Sequence, residues 1–325
     1  MGESEHALLC GLLGRCAAME ELRRRVRRFG SSELRIHVFG ETGTGKEKVA
    51  QALHAVSPRR RGPFVPFNAA GFTDDLVEPE LFGHARGAFT GAVGDREGLV
   101  RAAEGGTLFL DEVAELTPRA QAKLLRYLQE REYCRLGETV PRRSDVRIFS
   151  ATNVDLARRV EEGRFRQDLW FRLWEERIVV PPLRERSGDV GLLARHFLRR
   201  ESERQGRVCP VLAPVVDEAL ARFSWPGNVR QLEREMRRLV VVVDAGTVEL
   251  DHLSPEIGET SGAGEGRRGC LRRALHAFER DYLRRALERH EGVRTATAAE
   301  LGITRQALVN KIRRLGVCEV DRALR

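Results

Sequence analysis

Residues 38–50 read VFGETGTGKEKVA, and this stretch decides the fold class. Gly40, Gly45 and Lys46 fit the phosphate-loop template Gly-x4-Gly-Lys. The template requires an apolar strand before the loop and a helix after it. Both are present: a β-rich run ends at Phe39, and a helical pattern runs from Glu47 to Ala55. The glycines let successive backbone N–H groups curl around phosphate oxygens, the helix start adds partial positive charge, and Lys46 reaches the terminal phosphates. An ordinary glycine-rich turn would not need strand, loop and helix to agree. One departure stands out: Glu47 occupies the place where a hydroxyl residue usually holds Mg2+.

Outward from the loop, strand-like runs alternate with helical ones. Strands are expected at 34–39, 64–67, 107–110, 146–151 and 177–180, with helices between them, for example at 118–129. Such alternation implies an α/β fold with a parallel sheet covered by helices. From Asp189 to Val243 the pattern is helical only, broken at Trp225-Pro226-Gly227-Asn228, which reads as an appended helical subdomain. The run SPEIGETSGAGEGRRG at 254–269 is rich in glycine and charge, so a flexible linker is expected there. The organisation is therefore a short N-terminal segment (1–11), an α/β unit (12–181), a helical lid (182–253), a linker (254–269) and a small all-α domain (270–325).

A second piece of chemistry lies in GGTLFLDE at 105–112. An acid at the carboxyl end of a buried parallel strand, Asp111, can reach a metal beside the phosphates, and Glu112 can polarise a water. Alone, two acids after a strand could simply open a helix. Paired with the phosphate loop, they favour hydrolysis of ATP. A third stretch, LFGHARGAFTGA, sets Phe89-Thr90 between Gly87 and Gly91, an aromatic tip on an excursion expected between helices. An exposed phenylalanine suggests a contact surface; the alternative is a ring folded back into the core.

Composition narrows the classes. Among 325 residues, 42% are hydrophobic and 32% charged, a globular profile. The longest aliphatic run, Leu239 to Val243, is far short of the roughly 20 residues of a membrane span. The start, MGESEH, lacks the basic-then-apolar order of a secretory signal. The six cysteines are scattered, so neither a disulfide framework nor a zinc site is expected. These observations point to the cytoplasm and away from membranes. Net charge is +8, and residues 267–325 alone carry 15 basic and 7 acidic side chains, the whole excess. A basic tail domain suits a polyanion, although arginine outnumbers lysine throughout the chain. The tail run TATAAELGITRQALVNKIRRLG (295–316) closes one short helix, turns at Gly302 and offers Thr304 as the cap of the next. Thr304, Arg305, Gln306, Asn310, Lys311, Arg313 and Arg314 are the candidate contacts to bases and phosphates.

These stretches together resemble one family, the bacterial enhancer-binding proteins: NtrC-type AAA+ ATPases that activate sigma-54 RNA polymerase. GETGTGKE matches the family form, including Glu47, and GAFTGA (Gly87, Ala88, Phe89, Thr90, Gly91, Ala92) is intact in every letter. AEGGTLFLDEV, QAKLLRYLQE, SATN, GRFRQDLWFRL, PPLRER and WPGNVRQL match further, and the tail is similar to the helix-turn-helix of the factor-for-inversion (Fis) type. The resemblance implies ATP and Mg2+ as ligands, with Gly40, Glu41, Thr42, Gly43, Thr44, Gly45, Lys46 and Glu47 around the phosphates. It extends the nucleotide site through Ala103, Glu104, Gly105, Gly106, Thr107, Leu108, Phe109 and Leu110 to Asp111, the metal residue, and Glu112. It implies that Asn68 is a switch holding Glu112 from water and that Asn153 senses the γ-phosphate. Arg166 and Arg172 would be the fingers completing a neighbour's site, their order of importance left open, and Arg230 a second sensor. The GAFTGA loop would touch sigma-54. Arginine suits these roles because its fixed charged fork stabilises the transferred phosphoryl oxygens.

Two departures from the family pattern are Ala69 where a cysteine follows the switch asparagine, and the bulky, acidic Trp174-Glu175-Glu176. With only about a dozen residues before the ATPase unit, no N-terminal receiver domain is expected. Partners implied are sigma-54 and its polymerase, upstream enhancer DNA, and further copies of the chain as dimers assembling into a hexameric ring. Two other readings are a regulator of ordinary promoters that kept the fold without the sigma contact, and a general AAA+ remodeller such as a helicase loader. Dependence of transcription on sigma-54 separates all three.

Overall fold

A computed structural model describes residues 11–89, 91–243, 246–260, 279, 282, 283, 285–287, 289, 290 and 293–315. The chain divides into two compact units, Met1–Ile257 and Gly258–Arg325.

The first unit begins with helix α1 (Ala17–Gly30), strand β1 (Ile36–Phe39), helix α2 (Lys46–Ala55), strand β2 (Phe64–Asn68) and helix α3 (Asp74–Phe82). A hairpin of β3 (Gly83–His84) and β4 (Arg96–Glu97) follows, then α4 (Leu99–Ala102), β5 (Thr107–Asp111) and α5 (Pro118–Glu130). After the short pair β6 (Glu132–Tyr133) and β7 (Arg142–Arg143) come β8 (Arg147–Thr152), α6 (Leu156–Glu161), α7 (Gln167–Leu173) and β9 (Glu176–Val179).

Five strands form one all-parallel sheet in the order β2-β5-β8-β1-β9. The five expected strands are these, shifted by at most two residues at an end. Every residue of β8 is buried, as are Thr107 to Leu110 of β5, because helices cover both faces and continuous apolar runs belong there. Helix α5 starts as its sequence dictates: Thr117 Oγ1 accepts from the Ala120 amide at 3.2 Å, and Pro118 occupies the first turn. Parallel register places Asn68 opposite Asp111, so the carboxyl ends of β2 and β5 open beside the loop after β1.

The lid consists of α8 (Asp189–Gln205), α9 (Pro214–Arg222) and α10 (Asn228–Val242). It is not purely helical: β10 (Val211–Leu212) pairs in parallel with β11 (Thr247–Val248). Its core centres on Trp225, which is fully buried, packs edge-on against Phe223 and donates through Nε1 to Leu220 O at 2.8 Å. The first part of the stretch expected as a linker from residue 254 is ordered instead. Helix α11 (Pro255–Thr260) occupies its first part, and Ile257 is buried in the lid core. One apolar residue in a polar run was too weak a sequence signal to show this.

In the second unit, α12 (Arg294–Glu300) and α13 (Arg305–Leu315) pack through Ala298, Leu308 and Ile312. Gly302 turns the chain at φ +63°, and Thr304 Oγ1 accepts from the Ala307 amide, as the sequence predicts.

Candidate functional site

Between the carboxyl edge of the sheet and the lid lies a cleft of about 680 Å³. Its polar end is lined by Thr42 to Glu47, Asn68, Asp111, Glu112 and Arg230. Its other end is walled by Leu12, Met19, Leu193, Phe197 and Val229, which single-sequence reasoning missed because they come from three distant segments.

The loop between β1 and α2 is shaped by glycines where no side chain fits. Gly43 has φ +80°, and a Cβ there would meet Gly227 O at 2.3 Å. Lys46 is 6% exposed, and its Nζ donates to Gly40 O at 3.1 Å and Glu112 Oε1 at 3.3 Å. Asp111 Oδ1 accepts from the Glu112 amide at 3.0 Å. Burial, and next the charge of Glu112, push the Asp111 carboxyl above the usual carboxylate range. Glu112 itself sits at φ +50°, a left-handed conformation uncommon for a residue with a side chain, which turns its carboxylate back into the cleft.

Several expected groups stand elsewhere. Asn68 does not hold Glu112: its Oδ1 accepts from the Ala70 amide at 3.0 Å, capping the short turn after β2. Asn153 Nδ2 donates to Thr42 Oγ1 at 2.8 Å, at the loop's tip. Of the run from Ala103, only Asp111 and Glu112 line the cleft. Glu104 is turned to Ser144 and the Asp145 amide, Thr107 to His54, and Leu108, Phe109 and Leu110 lie in the core. A strand buried on both faces presents only its end to a ligand.

Glu41 also points away, to the lid. Its carboxylate pairs with Arg184 at 2.6 and 2.8 Å and accepts from Asn228 Nδ2 at 3.1 Å. The Arg184 guanidinium, and then Asn228, hold it down to about 2. Asn228, fully buried at φ +51°, also donates to Thr42 O and accepts from the Leu183 amide at 2.8 Å. The Arg230 amide donates to Gly43 O at 3.2 Å. The asparagine of WPGN thus ties the lid to the phosphate loop, a contact 186 residues apart in sequence that no local pattern announces.

Arg166 and Arg172 are exposed and line no part of this cleft. Arg166 is paired with Asp168 at 2.7 Å. Trp174, Glu175 and Glu176 find local reasons: the indole lies 5.7 Å from His37, Glu175 pairs with Arg35, and Glu176 pairs with Arg25.

The GAFTGA loop is the tip of the β3–β4 hairpin, which makes the expected excursion between helices α3 and α4. Gly87 and Gly91 take φ +78° and +102°, and the Gly87 amide donates to Ala92 O at 2.9 Å. Phe89 is half-buried, its ring edge-on to His84 at 5.0 Å, and Ala92 is buried. Ala88 lies beside Gly137 of the β6–β7 loop. Thr90 lies outside the described residues.

In the second unit Thr304, Arg305 and Gln306 are exposed at the start of α13. Lys311 is turned to Glu279 as an ion pair rather than left open for a phosphate. The side chains of Asn310, Arg313 and Arg314 lie outside the described residues.

Residues 12–179 match the sigma-54 interaction domain. The chain belongs to the sigma-54 activator family. Residues 184–268 match the AAA+ ATPase lid domain, and residues 274–315 match the bacterial regulatory protein, Fis family, domain. Regulatory protein AtoC of Escherichia coli is 40% identical over 95% of this chain and 68% of its own length. The DNA-binding transcriptional regulator NtrC of Azospirillum brasilense is 40% identical over 100% of this chain and 73% of its own. NtrX of Brucella abortus, solved in complex with ATP, superposes with a TM-score of 0.71 at 36% identity, covering 94% of this chain and 69% of that one. As a sigma-54 activator the chain is an AAA+ ATPase that binds nucleotide, and a transcription regulator with a Fis-type DNA-binding domain; its partners are sigma-54 and DNA. Among the described residues no helix is long and apolar enough to cross a membrane.

Proposed function

We propose that the protein is a cytoplasmic ring motor that hydrolyses ATP to convert a closed sigma-54 polymerase complex, reached from upstream DNA, into an open one. The observation that carries this reading is the convergence of Lys46, Asp111 and Glu112 at one end of one cleft, with the intact GAFTGA hairpin tip built on the same domain.

Lys46 and the amides of residues 42–46 bind the β- and γ-phosphates of ATP. Glu112 polarises a water that attacks the γ-phosphorus; the bond to the β-bridging oxygen breaks, and Glu112 receives the water's proton. Asn68 orients Glu112 in one state of the cycle, Asn153 reads the γ-phosphate through the loop tip at Thr42, and Arg230 reports it to the lid. Arg166 and Arg172, absent from their own cleft, complete a neighbour's site as fingers. Activity therefore needs a ring, by family resemblance a hexamer built from dimers. Phe89 and Thr90 carry the stroke to sigma-54, and Thr304, Arg305, Gln306, Asn310, Arg313 and Arg314 grip the enhancer.

Mg2+ fits the residues present. The Asp111 carboxyl is pushed up by burial and by Glu112, which is relieved when a cation stands beside it. Among the described residues no three His, Cys, Asp or Glu side chains group to hold a metal, so Asp111 would share the ion with phosphate oxygens and water. Bound there, the ion supplies positive charge to the phosphate oxygens.

The test is transcription in a purified system. Opening of a sigma-54 promoter that requires this protein and hydrolysable ATP supports the reading. Activation of polymerase carrying another sigma factor, or promoter opening without hydrolysis, overturns it.

A further inference from the structure

Residues 11–16 form neither helix nor strand, yet Leu12 and Leu13 line the apolar end of the cleft. Buried charged side chains hold their backbone from two sides. From the lid, Arg186 Nη2 donates to Leu13 O at 2.6 Å, while Asp189 Oδ1 accepts from the Arg15 and Cys16 amides at 2.6 and 3.2 Å. From α1, Arg23 Nη1 donates to Gly14 O at 2.8 Å and Leu12 O at 3.3 Å.

Arg186 and Asp189 are joined to each other at 3.1 Å, with side chains only 4% and 1% exposed. A buried ion pair gives little net stability, because desolvation offsets most of the attraction. A specific geometry is a better reason for one here. The pair's further hydrogen bonds go to a segment some 170 residues away and mostly to backbone atoms, with the Cys16 Sγ also donating to Asp189 Oδ2 at 3.3 Å, so the hold depends little on most side chains there. Gly14 shows how closely the segment is drawn in: a Cβ would lie 2.5 Å from Asp189 Oδ2 and 2.7 Å from Met19 Cγ.

We infer that Arg186 and Asp189 are positioning residues for base recognition: they fix residues 11–16 as the roof over the purine of a bound nucleotide. Neither belongs to the phosphate loop or to the acidic pair Asp111–Glu112, and their bonds run to residues 13–16, so they set affinity for the base end and leave the phosphate end alone. The inference rests on reading the cleft as the nucleotide site. It adds that the lid controls the base end through this strap, separately from its Asn228 contact with the phosphate loop.

The experiment uses the full chain and two variants, Gly14→Ala and Asp189→Asn. Gly14→Ala pushes the segment off the pair without removing a buried charge, so it decides the matter should Asp189→Asn fail to fold. Calorimetry measures ADP, which has a base, and inorganic tripolyphosphate, which has none. The expected result is a loss of about tenfold in ADP affinity, the order of one lost hydrogen bond to a charged group, with tripolyphosphate affinity unchanged. Variants that bind ADP like the wild type overturn the inference. So do variants that lose both ligands in parallel, because a merely structural role predicts that. A wild-type protein that binds neither ligand overturns the nucleotide reading itself.

Discussion

Lys46 and Glu112, 66 residues apart in sequence, meet in the cleft at 3.3 Å, Nζ to Oε1. The side chain that would bind phosphate therefore neutralises the side chain that would activate water. In the proposed mechanism, phosphates entering the loop would compete for the same ammonium and release Glu112 as they arrive. Substrate binding and exposure of the base would then be one event.

That pairing separates two substitutions. Lys46→Ala removes the ammonium from both partners and should weaken ATP binding by about a hundredfold or more, as when one member of a desolvated charge pair is cut away. Glu112→Gln keeps the shape of the site, so nucleotide affinity should persist while turnover falls by about 10²–10⁴. Equilibrium binding beside steady-state phosphate release checks both.

Asp111 makes a second prediction, of opposite sign for stability and activity. Its carboxyl is raised by burial and by Glu112, so its ionised form is disfavoured in the folded chain and its cost grows as pH rises through the carboxylate range. Asp111→Asn should therefore raise the melting temperature at pH 7 in EDTA while abolishing magnesium-dependent ATPase. Calorimetric melts and a phosphate assay on one preparation test the pair of signs.

Asn228 holds three groups from a fully buried position. Asn228→Ala should cost about 1–3 kcal/mol for the buried partners left unsatisfied, and it should loosen lid from phosphate loop. Denaturant melts give the first quantity. A rise in KM for ATP, larger than for Arg184→Ala at the exposed Glu41 pair, gives the second.

His37 supplies a pH signature. It is buried in β1 against Ser150 and Trp174, and burial, with the charges of Arg177 and Lys46, lowers its pKa to about 3. The unfolded chain protonates near the ordinary 6.5, so this contribution is intact above that pH and is lost progressively down to about 3. Stability should fall by up to about 1.4 kcal/mol per pH unit across that window from this group, and His37→Gln should flatten the slope. Denaturant midpoints between pH 7 and 4 measure it.

Much of this was legible in sequence because the chemistry is local. The glycines and Lys46 of one loop, the acids ending one strand, and the Gly302–Thr304 turn each carry their signal within a few residues. What escaped is long-range. Glu41 reads as a phosphate-loop residue but belongs to Arg184 and Asn228 in the lid. Thr107 to Leu110 share a motif with Asp111, yet parallel pairing on both sides buries them. Leu12 and Leu13 sit in an unremarkable N-terminal stretch and gain meaning only from Arg186 and Asp189. Asn68 is where its motif predicts, at the end of β2 beside Asp111, but its side chain is engaged by the Ala70 amide, a contact spacing does not reveal.

The central claim is that ATP cleavage is transmitted to the hairpin tip at Phe89. The most direct measurement follows ATPase rate and sigma-54 promoter opening in the same sample, for the wild type and for Phe89→Ala. The account predicts that the variant hydrolyses ATP within about twofold of the wild type, since Phe89 packs within the hairpin and does not line the cleft, and opens no promoter. A variant that hydrolyses ATP and opens promoters at the wild-type rate would contradict it.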